Sequence, residues 1–151
     1  MMSQEFSRRG TVPNVRRRVN LEIAYTHSVN YEEPIVDEQE TTGSLFQVDY
    51  DTYIIAFDTE LDGKRQTNTL KLNNGLMSWV IIGNSHTQQT FKAGEWYSNQ
   101  FFVEGTSLTC RNKTRRLDYH FNEEGGFIDV FYELYSSDTH LGYYSLEVYI
   151  H

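Results

Sequence analysis

Turn signals punctuate this chain about every 10 residues, and that spacing limits what it can fold into. Asp62-Gly63, Asn73-Asn74-Gly75, Gly83-Asn84-Ser85, Ala93-Gly94, Glu104-Gly105 and Glu123-Glu124-Gly125-Gly126 each separate two short apolar or aromatic runs. Runs of that length suit strands, and none carries an apolar 3.6-residue period over the length of a helix. The run 53–61 places Tyr53, Ile54, Ile55, Ala56 and Phe57 in succession, apolar on both faces, so it is expected to have packing on each side. Upstream, Val15, Val19, Leu21, Ile23, Tyr25 and Val29 share one parity, and Arg16, Arg18, Asn20, Glu22, Thr26 and Ser28 the other. That alternation predicts a long, half-buried strand. Arg17 falls on the apolar parity, so burial is expected to begin beyond it.

Further strands are expected over residues 40–49, 66–72, 76–82, 87–91, 95–103, 106–112, 115–121, 127–135 and 143–150, with 30–38 as a loop around Pro34. Gly43, inside the second strand, marks a bulge or a close approach of backbones. The composition agrees: aromatics make up 15% of the chain, while alanine occurs only at Ala24, Ala56 and Ala93. The fold class read from these runs is all-β, an up-and-down antiparallel β-barrel of about 8–10 strands. Closure favours the barrel because it leaves no unpaired edge. A two-sheet β-sandwich is the alternative.

Residues 1–13 are polar, unpatterned and closed by Pro13, and read as a flexible basic arm ahead of one domain spanning 14–151. The first 18 residues hold Arg8, Arg9, Arg16, Arg17 and Arg18 against Glu5, whereas the rest has eight Lys and Arg against 20 acids. An acidic body with a basic arm raises a protein- or RNA-interaction module using those five arginines, although a nucleic-acid binder more often carries its basic patch on the folded body. Cys110 stands alone, which excludes an intramolecular disulfide and suits a reducing compartment. With no apolar run of membrane-spanning length and no signal-peptide core, the chain is expected to be cytoplasmic and to have no membrane association.

No chemistry is announced by a motif. The histidines His27, His86, His120, His140 and His151 have no ligand spacing, so no metal is expected. Cys110 sits in a strand run and reads as a small buried hydrophobe. Nucleophile elbows, phosphate loops and dinucleotide fingerprints are absent, so no catalytic residue and no cofactor is assigned. Asp58, Glu60, Asp129 and Glu133 lie on strand runs, and paired carboxylates pointing into a barrel would suit a hydrolase, the last-ranked reading. Otherwise they face water. The aromatics Tyr53, Phe57, Trp79, Phe91, Trp96, Phe102, Tyr119, Phe127 and Phe131 either fill the barrel or line it.

Gly43, Tyr53-Ile54, Phe57, Gly63-Lys64, Thr69-Leu70-Lys71-Leu72, Phe91-Lys92-Ala93-Gly94, Gly105, Asp129, Tyr132 and Leu146-Glu147-Val148 together carry a resemblance. From about residue 17 to 150 the chain resembles the YwiB-like bacterial family, a calycin-like β-barrel domain of unknown function. It departs from that family's pattern at Ile81-Ile82-Gly83, where the family carries an arginine two residues before the glycine. The resemblance implies a lipocalin-shaped barrel and, by analogy of shape, a small, largely apolar molecule bound in or at its mouth. Tyr53, Phe57, Trp79 and Phe91 are the expected walls, with Glu60 and Arg115 near strand ends as polar anchors.

Overall fold

The computed structural model describes residues 15–29, 32–83, 85–103 and 105–151; the basic arm 1–13, with Arg8 and Arg9, lies outside them. Ten strands succeed one another: β1 Val15–Ser28, β2 Ile35–Asp49, β3 Thr52–Leu61, β4 Lys64–Asn73, β5 Leu76–Ile82, β6 Ser85–Lys92, β7 Trp96–Val103, β8 Thr106–Asn122, β9 Gly125–Ser136 and β10 Thr139–Ile150. Each pairs antiparallel with the next, and β1 pairs with β10 from Leu21 opposite Ile150 to Ser28 opposite Tyr143, closing the barrel. The fold is therefore all-β and a closed antiparallel barrel, not a sandwich. Both residues of Asp62-Gly63 and of Asn74-Gly75 have positive φ, the backbone these tight hairpins require.

Several boundaries differ from the sequence expectation, β10 for instance beginning at Thr139 rather than 143, and two differences change the pairing most. β2 begins at Ile35, because residues 35–40 pair along β1 as far as His27 opposite Ile35. β8 is one 17-residue strand where two were expected. Its register slips between Thr114 and Arg116, so Arg115 is an extra residue. The bulge changes which parity faces in: Asn112 and Thr114 face inward before it, Leu117 and Tyr119 after it, and Arg115 and Arg116 both face out.

The core is one cluster of inward side chains, in which Ile55, Leu70, Leu72, Met77, Phe91, Val130 and Val148 are completely enclosed. Gly43 stands between Val19 and Phe57 in the ladder, and a Cβ there would lie 2.3 Å from the Ala56 carbonyl oxygen. Close approach of backbones is what that glycine serves. One seam lacks a full ladder: β6 and β7 pair only from Ser85 opposite Val103 to Gln88 opposite Gln100. Beyond it, side chains take over. The Thr90 amide donates to Asn99 Oδ1 (3.1 Å), Asn112 Nδ2 donates to the Thr90 carbonyl (3.0 Å), and the Lys92 amide donates to Thr114 Oγ1 (3.3 Å). Backbone groups left over by the splayed strands are satisfied in this way, at the cost of burying two amides.

Candidate functional site

The inward-facing residues change character along the barrel axis. On β4 they run Leu72, Leu70, Asn68, Gln66; on β6, Phe91, Gln89, Thr87, Ser85; on β3, Ile55, Phe57, Thr59; on β2, Leu45, Gly43, Thr41, Gln39, Asp37. Each series goes from apolar to polar, and all four do so toward the end that carries the β1–β2, β3–β4 and β5–β6 connections. Apart from Asn99, Asn112 and Thr114, which replace the missing β6–β7 ladder, amides and hydroxyls inside a barrel filled by side chains would cost free energy without return. At the polar end the interior is hollow, with a cavity of about 290 Å³.

Aromatic side chains form much of its wall: Phe57, Trp79, Tyr25 and Phe101. Trp79, 6% exposed, is fixed by a hydrogen bond from its Nε1 to Asn68 Oδ1 (3.0 Å), and Asn68 Nδ2 in turn donates to Thr59 Oγ1 (2.9 Å). Tyr25 meets Trp79 edge-on with ring centroids 5.8 Å apart, and its hydroxyl lies 3.4 Å from that of Tyr132. The Tyr132 ring stacks on Tyr144 and packs against Phe91 at 4.6 Å, so an aromatic layer lies behind the cavity wall.

Burial pushes the Tyr25 hydroxyl up to about 12 and that of Tyr132 well above its ordinary range, the Tyr25 charge adding to the second effect. Both phenols are held neutral in the fold. Their contribution to stability is complete below the unfolded value of 10.0 and is lost as pH rises toward and through about 12. Denaturation midpoints measured from pH 8 to 12 should therefore hold steady and then fall above pH 10. Tyr25→Phe should make that fall shallower, and an unchanged slope would show that Tyr25 is solvated.

Of the residues singled out from sequence, Phe57, Glu60 and Trp79 border this cavity. Glu60 is exposed at the rim and on the outward parity, and its backbone exchanges hydrogen bonds with the Gln39 side chain. Phe91 faces inward but is fully enclosed. Tyr53 also faces inward, at the opposite end, where its ring packs on Phe121 at 4.5 Å. Arg115 is outside the barrel because of the β8 bulge, and its guanidinium pairs with Glu133. The three therefore do not share the cavity with Phe57 and Trp79. Sequence reasoning missed Tyr25, Thr59, Asn68, Thr87, Gln89 and Phe101 as wall residues; the shift to polar residues on one parity was the available signal.

The carboxylates do not form a pair inside the barrel. Asp58 is bound by Arg65 on the outer face, a hydrogen bond that holds its carboxyl below the usual range. Asp129 is bound by Arg116 (3.0 Å), which raises the guanidinium further. Glu133 is only 5% exposed although it faces outward, covered by Arg115 and by His140 at 3.3 Å. Trp96, Phe102 and Phe127 are exposed on the outer wall, and Phe131 stacks there on Tyr143. Cys110 is partly buried, and burial raises its thiol. Among the described residues no three His, Cys, Asp or Glu side chains converge as metal ligands would.

Of the basic residues of β1, Arg17 reaches across the end of the barrel opposite the cavity, donating to the carbonyls of Asn122 (2.7 Å) and Glu123 at the β8–β9 turn. A second hollow of about 330 Å³ lies beside it, between Leu45, Tyr53 and Phe121. Arg17 in its wall is engaged in that link, and Gln47 Nε2 donates to the Tyr53 hydroxyl (3.4 Å). Hollows on the outer wall reach about 580 Å³ but are shallow troughs, such as the one beside Thr41, Asp58 and Arg65. Arg16 and Arg18 face outward above another of these.

The family model that matches residues 19–148 is described as a domain of unknown function, DUF1934. The crystal structure of the ywiB protein from Bacillus subtilis is similar in fold, with a TM-score of 0.75 at 18% identity over 89% of this chain and 92% of that one. No curated protein matches.

Proposed function

The chain belongs to the DUF1934 family of domains of unknown function, and on the geometry of its barrel we propose that it is a small-molecule-binding protein whose guest sits in the hollow, polar-ended half. The observation that carries this reading is the concerted change from apolar to polar inward residues on β2, β3, β4 and β6, ending at a cavity of about 290 Å³. That volume is near the lower end of ligand sites in general, which run from about 300 Å³ upward. A guest of two or three fused rings matches it better than a long acyl chain. The enclosed half of the barrel serves as the rigid floor against which such a guest is held.

Fatty acids, haem and aromatic metabolites, screened by thermal shift and native mass spectrometry, test the reading. A guest that binds only the folded chain raises the melting temperature by mass action. Ser85 faces the cavity near its mouth, and Ser85→Trp should fill the mouth. The variant is expected to fold as the parent does and to lose the thermal shift. A screen without hits, or hits that Ser85→Trp leaves intact, would contradict ligand binding in this cavity.

A further inference from the structure

Gln89 and Thr87 supply the most specific information about the guest. Gln89 is 5% exposed and borders the cavity. Its Oε1 is buried without a hydrogen-bond partner among the described residues, and so is Thr87 Oγ1, two positions nearer the mouth on the same inward parity. Other polar wall groups differ: Trp79 Nε1, Asn68 and Thr59 satisfy one another. Asn112 Oδ1 and Asn99 Nδ2 are also unpaired among the described residues but lie in the β6–β8 seam away from the cavity; Gln89 Oε1 and Thr87 Oγ1 stand beside it, where the donor of a guest can reach them and relieve the cost of their burial.

Charge narrows the class further. No lysine or arginine among the described residues borders the cavity, and the acidic side chains there are Asp37 and Glu60. A carboxylate or phosphate entering would lose its hydration and meet like charge, without a cation to compensate. The walls meanwhile present aromatic rings from several strands, Tyr25 on β1, Phe57 on β3, Trp79 on β5 and Phe101 on β7, which suits a flat π-system.

We propose that the guest is an uncharged, flat aromatic heterocycle that donates an N–H from its edge to Gln89 Oε1, with Thr87 Oγ1 as a second polar contact. This rests on the ligand-binding reading of the cavity and adds the chemistry of the ligand to it.

Three isosteric probes separate the two claims: indole, which has the N–H; benzofuran, which has an oxygen in its place; and indene, which has a methylene. Calorimetry on the full chain should show indole binding at least about tenfold more tightly than either isostere, the effect expected when a buried acceptor gains or lacks its donor. Indole-3-carboxylate should bind more weakly than indole. Gln89→Leu should bring indole down to the affinity of indene while leaving indene unchanged, and Thr87→Val provides a second, nearly isosteric test of the same wall. Equal binding of indole and indene to the parent chain would overturn the donor assignment and leave ligand binding standing. Tightest binding by the carboxylate would overturn the charge argument. Failure of all three to bind, with no hit in the wider screen, would remove the ligand-binding reading and this inference together.

Discussion

Replacing Phe91 by alanine is expected to cost about 3–5 kcal/mol of folding stability, the usual range for emptying a fully enclosed aromatic site. Phe91 has no exposed surface, stands opposite Met77 in the β5–β6 ladder, and packs on Tyr132 at 4.6 Å. Nothing around it can collapse easily, because the barrel wall is closed and the neighbouring side chains are themselves completely buried. Phe57→Ala should cost clearly less. Phe57 is 4% exposed, and one side of it borders the cavity, where part of its packing is already missing. Urea denaturation of the two variants under identical conditions checks the contrast. Equal losses would mean that the hollow half is as solid as the other.

Gly43→Ala is the second large effect, expected at about 3 kcal/mol or more for overpacking against backbone. The added Cβ would come within 2.3 Å of the Ala56 carbonyl oxygen, and within 3.0 Å of Leu21 Cδ1 and Phe57 Cβ. Leu21 can rotate aside; the Ala56 carbonyl cannot, since it belongs to the wall that β2 and β3 form together. The strands must separate locally, and Phe57 moves with them. The substitution should therefore lower the melting temperature by roughly 10 °C, at about 2–4 °C per kcal/mol for a chain of this size, and weaken any guest of the cavity. A melting temperature within a few degrees of the parent would show that β2 and β3 can part at little cost.

These two positions also show how far the chain could be read before its structure was known. Gly43 was recognisable because a glycine interrupts an otherwise well-formed strand. The pattern named Tyr53, Phe57, Trp79 and Phe91 as walls, and all four side chains face inward. It did not say how high along the axis each would sit, because that depends on the stagger of ten strands around a closed barrel. Hence Tyr53 and Trp79, alike in pattern, lie at opposite ends. Arg115 failed for a different reason. One extra residue in β8 reverses the parity of the rest of the strand, and nothing local in Lys113-Thr114-Arg115-Arg116 announces a bulge. Asn99, Asn112 and Thr114 look like surface residues of a strand, yet they are buried because they replace the missing β6–β7 ladder, a need that exists only once the strands are paired. On β4 the change along one parity from Leu72 and Leu70 to Asn68 and Gln66 was a visible signal; on β6 there was none. Ser85, Thr87 and Gln89 alternate with His86, Gln88 and Thr90, and with polar residues on both parities a strand offers no contrast from which to tell inside from outside.

The chain has two tryptophans, and they stand on opposite sides of the wall, which makes them the most direct test of where a guest binds. Trp79 lies in the cavity with its Nε1 on Asn68. Trp96 is 45% exposed on the outer face, beside Tyr135, with the Arg111 guanidinium 4.9 Å from its ring centre. Indole titrated into uniformly ¹⁵N-labelled protein should shift the Trp79 side-chain N–H resonance in a saturable way and leave that of Trp96 in place. Movement of the Trp96 resonance alone, or of neither with indole and with every hit of the wider screen, would contradict a ligand site inside the barrel.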